Sequence, residues 1–225
     1  VIKTGISYSR AAAAALLLAS AAALAAPPRM PAAPLTADAQ RIAQAAVAAR
    51  DNAGGAFAVV DKKAASVFVF DAKGTLLGAS PVLLGLARGD DSVPGIGERP
   101  MAKIRPHERT TPAGRFASEP GRNTGGEDIV WVDYDAAISM HRVRTTNKAD
   151  RRLERLASPT IADNRISYGC INVPAAFYDA YVKPALGQRR GVVYVVPESS
   201  PVAAHFDFLN PAKDARAPSP VRPAL

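Results

Sequence analysis

Cysteine is almost missing from this sequence: Cys170 is the only one among 225 residues. An intramolecular disulfide is therefore excluded. A buried inert thiol, an intermolecular bridge or a reactive thiol remains. Histidine is scarce as well. His107, His141 and His205 are scattered and, with one cysteine, offer no metal-ligand spacing, so neither a metal nor a cofactor is expected. There is no internal repeat. No basic motif is interleaved with aromatics, so a formal charge of +8 does not by itself point to nucleic acid. The one long apolar run, at 11–22, is short for a membrane span and is ended by Pro27 and Pro28.

That run reads as an export leader. Lys3 and Arg10 precede it, and Ala23-Leu24-Ala25 is a small-x-small site that places cleavage after Ala25. Residues 1–25 are thus expected to be removed, leaving a periplasmic protein with no stable membrane anchor. In an oxidising compartment an unpaired thiol oxidises or pairs with strangers, which favours a functional role for Cys170 over an inert one. The leader holds two basic residues and no acid, so the remainder stays basic and suited to anionic surfaces such as wall polymers.

Residues 26–55 read as a Pro/Ala linker and a short helix, capped by Thr36 or Asp38, whose thin apolar face suits a loose tether. From residue 56 the period changes. Apolar, β-branched and aromatic runs at 56–61, 66–71, 75–80, 129–134, 137–141 and 191–196 alternate with turns rich in Gly, Asp and Lys. Between Tyr168 and Gly187, the stripe Phe177, Tyr178, Tyr181 and Val182 has helical spacing. The expectation is a mainly β domain over 56–196, a sandwich or barrel-like sheet carrying one or two helices. Residues 197–225, rich in Pro, Ala and Ser, are expected to form a flexible tail.

A thiol nucleophile needs a base. His107 lies in a Pro/Arg-rich loop and His205 in the Pro-rich tail, whereas His141 ends a strand and can project from a rigid sheet edge. Gly169 before Cys170 suits a tight turn. A phosphatase of the cysteine type needs an arginine six positions on, where Ala176 stands, and a papain-like protease has the opposite order of Cys and His.

His141 followed by Ser167-Tyr168-Gly169-Cys170-Ile171-Asn172, with Thr111-Pro112-Ala113-Gly114-Arg115-Phe116 upstream, resembles the L,D-transpeptidases with a YkuD-type catalytic domain over about residues 66–196. The resemblance implies a thioester enzyme acting on peptidoglycan stem tetrapeptides, with Cys170 as nucleophile and His141 as base. Gly169, Ser167, Tyr168 and Asn172 would form the oxyanion site and shape the pocket, with the Gly169 and Cys170 N–H groups as donors and Ser167 orienting the His141 ring. Attack on the third residue would release a terminal D-amino acid, and an acceptor amine would give a 3→3 cross-link. Water as acceptor, or a different donor bond, would give a carboxypeptidase or an endopeptidase. Two departures stand out: Tyr168 replaces the usual His, and the stretch between His141 and Ser167 is long and basic. That stretch carries Arg142, Arg144, Lys148, Arg151, Arg152, Arg155 and Arg165, with a helix expected at 149–158. It would be either a solvated surface or a lid over a polymer with free carboxylates, and Arg165 is the candidate substrate contact. These departures keep a non-catalytic wall-binding module open. The oligomeric state is left open.

Overall fold

The computed structural model describes residues 33–210. The leader expected at 1–25 and the tail beyond residue 210 lie outside the described residues. The first element, α1 (Ala37–Ala48), is capped by Thr36, whose hydroxyl oxygen accepts from Ala39 N–H at 3.2 Å. It buries Ala39, Ile42, Ala43 and Ala46, the i, i+3, i+4, i+7 stripe of an amphipathic helix. The linker helix is therefore a packed layer and not the loose tether expected.

The strands are β1 (Phe57–Asp61), β2 (Ser66–Phe70), β3 (Leu76–Pro81), β4 (Leu84–Gly85), β5 (Gly114–Arg122), β6 (Asp128–Asp133), β7 (Ile138–Arg142), β8 (Arg165–Ser167), β9 (Ile171–Val173) and β10 (Gly191–Val196). Eight of them form one sheet in the order β3-β2-β1-β10-β5-β6-β7-β9, and β4 pairs with β8. Between β7 and β8 lies α2 (Arg152–Ala157). After β9 the chain winds through α3 (Ala175–Phe177), a π turn (Tyr178–Val182) and α4 (Lys183–Leu186). Among the described residues no helix is long and apolar enough to cross a membrane.

The mainly β architecture follows from two apolar faces. Every residue of β1 and β2 is buried, and they read as continuous apolar runs because both of their faces are covered. One face, with Ala58, Val60, Val67, Val69, Val193 and Val195, meets Val130, Ile138, Met140, Ile171 and Val173 from the other half of the sheet. The opposite face, with Phe57, Val59, Phe68, Phe70 and Tyr194, packs on α1 and on Phe206. A sheet bent between β10 and β6 encloses the first core, and β5, nine residues long, joins the halves by pairing with β10 through Gly114 to Ser118 and with β6 through Glu119 to Arg122.

Residues 197–210 are part of this body, which corrects the expectation of a flexible tail from residue 197. Phe206 is 1% exposed and stands edge-on to Tyr194 at 6.0 Å between ring centroids. Asp90 accepts from the backbone N–H of Glu198, Ser199 and Ser200 and from both serine hydroxyls. Burial of one aromatic ring and satisfaction of one buried carboxylate fix a segment whose composition alone suggests disorder.

Candidate active site

Strand alternation assembles the site. In β7, Ile138 and Met140 enter the core, so Ser139 and His141 share the opposite face. β9 runs parallel to β7, with Met140 opposite Ile171 and His141 opposite Asn172. Ile171 also enters the core, which puts Cys170 and Asn172 on the face of Ser139 and His141. Asn172 is held from the other side too: its backbone N–H donates to the Leu83 carbonyl and its carbonyl accepts from Leu83 N–H, both at 2.9 Å.

Cys170 Sγ lies 3.5 Å from Ser139 N, 3.6 Å from Ser139 Oγ and 3.6 Å from the Ala137 carbonyl. Burial pushes the thiol upward, but the nearby His141, aided by both Ser139 donors, leaves it below the ordinary cysteine value. His141 Nδ1 is 2.7 Å from the Arg142 carbonyl. A carbonyl only accepts, so Nδ1 carries the proton and Nε2 keeps its lone pair as the basic nitrogen. Cys170 remains partly exposed.

The turn before the thiol is clamped. Gly169 has φ +129°, and a Cβ there would fall 2.5 Å from Ile138 Cδ1 and 2.7 Å from the Thr110 carbonyl oxygen. Only glycine fits both the backbone angle and the space. Thr111 Oγ1 donates to the Gly169 carbonyl at 2.7 Å and accepts from Gly85 N–H at 2.9 Å, which gives the Thr-Pro element a structural task beside the thiol. Behind it, Lys62 Nζ donates to the Thr111 carbonyl at 2.9 Å and to Asp90 at 2.8 Å, with no exposed surface.

Several expected roles change. Gly169 N–H donates to Ser167 Oγ at 3.1 Å and is not directed at an oxyanion; Cys170 N–H is the remaining candidate of the expected pair. Ser167 Oγ donates to the Cys170 carbonyl at 2.7 Å, so this serine folds the turn, while the Arg142 carbonyl orients the imidazole. Arg165 is not a substrate contact: it is buried, donating to Glu198 at 2.7 Å and to the Lys62 carbonyl at 2.9 Å. Tyr168 lies under the Arg109 guanidinium, which stands 3.8 Å from its ring centroid and donates to the Ile104 carbonyl. Asn172 Nδ2 donates to the Cys170 carbonyl at 3.1 Å and approaches His141 Nε2 to 3.5 Å. His107 is exposed and His205 bonds Ser200. Among the described residues no group of three or more His, Cys, Asp or Glu is placed to hold a metal ion.

Ser139 is the functional residue that the sequence reading missed. The signal was available: it stands two residues before His141 in a strand, hence on the same face. In the sequence Arg152 is one of many basic residues, because its partner Asn172 is distant in the chain.

No family model matches the sequence, and no curated protein matches it. Solved structures do. The chain is similar to the L,D-transpeptidase (residues 123-326) from Xylanimonas cellulosilytica, at 14% identity over 63% of this chain and 60% of that one, TM-score 0.37. It is similar to LD transpeptidase LdtMt1 in complex with imipenem, at 18% identity over 63% of this chain and 59% of that one, TM-score 0.35. It is also similar to the helical cell shape determining protein Pgp2 from Campylobacter jejuni, at 13% identity over 65% of this chain and 49% of that one, TM-score 0.40. The chain spans less than two thirds of the length of each. At such identities and scores the likeness is a distant one of fold, and the chemistry has to be argued from the side chains.

Proposed function

We propose that this chain is a cysteine-dependent L,D-transpeptidase acting on peptidoglycan stem tetrapeptides in the periplasm, reached through the leader at 1–25. The observation that carries the reading is the placement of Cys170, after the Gly169 turn that the resembling family also has before its cysteine, on the face of the sheet that carries His141. His141 Nε2 takes the thiol proton. The thiolate attacks the carbonyl of the third stem residue, and Cys170 N–H faces the developing oxyanion. The C–N bond to the terminal D-amino acid breaks as its nitrogen takes the proton from the imidazolium, leaving a thioester. An amine of a second stem then loses a proton to Nε2 and displaces the thiolate, which forms the cross-link. None of these steps calls for a metal or a cofactor. The basic surface suits a wall carrying free carboxylates.

Chromatography of muropeptides after incubation of disaccharide-tetrapeptide with the purified protein tests this reading. Cross-linked dimers with released D-amino acid are expected. Tripeptide monomers alone would make water the acceptor and the protein a carboxypeptidase. Unchanged tetrapeptide across several stem chemistries would leave a wall-binding module.

A further inference from the structure

The basic stretch between β7 and β8 is not a uniformly solvated surface. Arg151, at its centre, has φ +49° and a side chain 71% exposed, paired with Glu154. The next residue, Arg152, is only 18% exposed. It shares an inward face of α2 with Leu156, four residues on and buried. The stretch is braced to hold that face in place: Arg155 donates to the Asp150 carbonyl at 2.8 Å and to the Asp163 carbonyl at 3.1 Å.

Arg152 reaches the catalytic turn. Its Nε donates to Asp150 Oδ2 at 2.8 Å, and its Nη1 donates to Asn172 Oδ1 at 2.6 Å. A guanidinium only donates and a backbone carbonyl only accepts, so the Asn172 amide has a single orientation consistent with both neighbours. Oδ1 must face Arg152, and Nδ2 must face the Cys170 carbonyl at 3.1 Å and His141 Nε2 at 3.5 Å. We propose that Arg152 is a positioning residue for the Cys170–His141 pair, acting through Asn172, whose amide it locks in the orientation that ties the thiol's turn to the base's strand. The inference rests on Cys170 being the nucleophile, and it gives the basic stretch a task within the site. The charged and titratable groups bearing on the arrangement are Asp150 beside Arg152, His141 across from Asn172, Glu127 with its partner Arg144 on the side of His141, and Cys170 itself. Asp150 takes the Nε side of the guanidinium and leaves Nη1 for the amide.

The test is the rate of Cys170 alkylation by iodoacetamide as a function of pH in the native protein, Arg152→Met and Arg152→Lys, with thermal midpoints measured alongside. This readout needs no wall substrate, so it can fail while the transpeptidase reading stands. Arg152→Met keeps the volume but removes donor and charge. It is expected to slow alkylation at neutral pH about tenfold, the scale of one lost hydrogen bond, and to move the profile to higher pH. Arg152→Lys keeps the charge and a donor but not the fork that reaches Asp150 and Asn172 together, and is expected to slow alkylation less than Arg152→Met does. Alkylation of the Met variant within about twofold of native would overturn the proposal. So would equal slowing in both variants with an equal loss of thermal midpoint, which would mark a packing role only. A native thiol with an ordinary cysteine profile would overturn both this proposal and the nucleophile on which it rests.

Discussion

With alanine in place of His141, the acyl-transfer rate is expected to fall by about 100- to 10,000-fold, the usual contribution of a positioned general base. Three features of the structure make this loss specific to chemistry. The imidazole is partly exposed and lies on the face of β7 away from the core, so its removal leaves Ile138 and Met140 packed as before. Its Nδ1 is satisfied by the adjacent Arg142 carbonyl, not by a distant element that would unfold without it. The thiol, in contrast, depends on it: burial raises Cys170, and His141 is the largest influence lowering it. The sign follows. Without His141 the burial remains and its main opponent is gone, so the alkylation profile of Cys170 moves to higher pH. Iodoacetamide kinetics across pH 6 to 10 check this independently of any wall substrate. A rate and profile unchanged in His141→Ala would remove His141 from the mechanism. The paired variant Ser139→Ala keeps His141 and loses only the hydroxyl contact at 3.6 Å, so its effect is expected to be much smaller.

Lys62→Met is expected to cost about 3–5 kcal/mol of stability, because it removes one member of a buried charge network and strands the others. Lys62 has no exposed side-chain surface, and its partners Asp90 and Glu198 are 4% and 5% exposed. Its ammonium donates to Asp90, to the Gly89 carbonyl and to the Thr111 carbonyl, so all three protons are used. Burial pushes Lys62 below its ordinary value, against the attraction of Asp90 and Glu198. Burial also acts to raise Asp90, but Lys62, Ser200, the Glu198 N–H and Ser199 together hold its carboxyl well below the usual range. A carboxylate depressed in the folded state contributes stability that is fully present above its unfolded value, about pH 4, and is lost as the pH falls below it. The native protein should therefore lose stability on acidification below about pH 4, and Asp90→Asn should flatten that dependence. In a domain of this size the Lys62 loss corresponds to a thermal midpoint lower by about 10 °C. The consequence reaches the site, since Lys62 holds the Thr111 carbonyl and the Thr111 hydroxyl holds the Gly169 carbonyl. Calorimetry of Lys62→Met and Lys62→Met/Asp90→Asn checks the argument: the double variant should recover part of the loss. Equal midpoints for native and Lys62→Met would show the network to be energetically neutral.

The strands β1, β2 and β10 were legible in the sequence as dense runs of Val, Phe and Ala; that both of their faces are covered is shown only by the fold. The strand that joins the halves was not legible. β5 contains Gly114, Pro120 and Gly121, exposes most of its side chains, and is a strand through its neighbours' hydrogen bonds and not its own apolar pattern. Cys170 and His141 stand out in the sequence because each residue type is rare in this chain. The roles of Ser167, Gly169 and Arg165 were not legible, since each depends on partners brought close by folding: Ser167 on the Cys170 carbonyl, Gly169 on Ser167, and Arg165 on Glu198. Arg165 and Arg152 come from the same basic stretch, and only the fold sends one into a buried ion pair and the other to Asn172. The segment 197–210 shows the same limit. Its composition suggests disorder, yet Phe206 and the donors to Asp90 anchor it.

Intact-protein mass spectrometry after brief mixing with disaccharide-tetrapeptide, beside a Cys170→Ala control, tests directly whether Cys170 carries the acyl group. A native species heavier by the disaccharide-tripeptide acyl group, labile to hydroxylamine as a thioester is, is expected, and no such species in the control. An unmodified native mass with tetrapeptide consumed at the same rate by Cys170→Ala would contradict it.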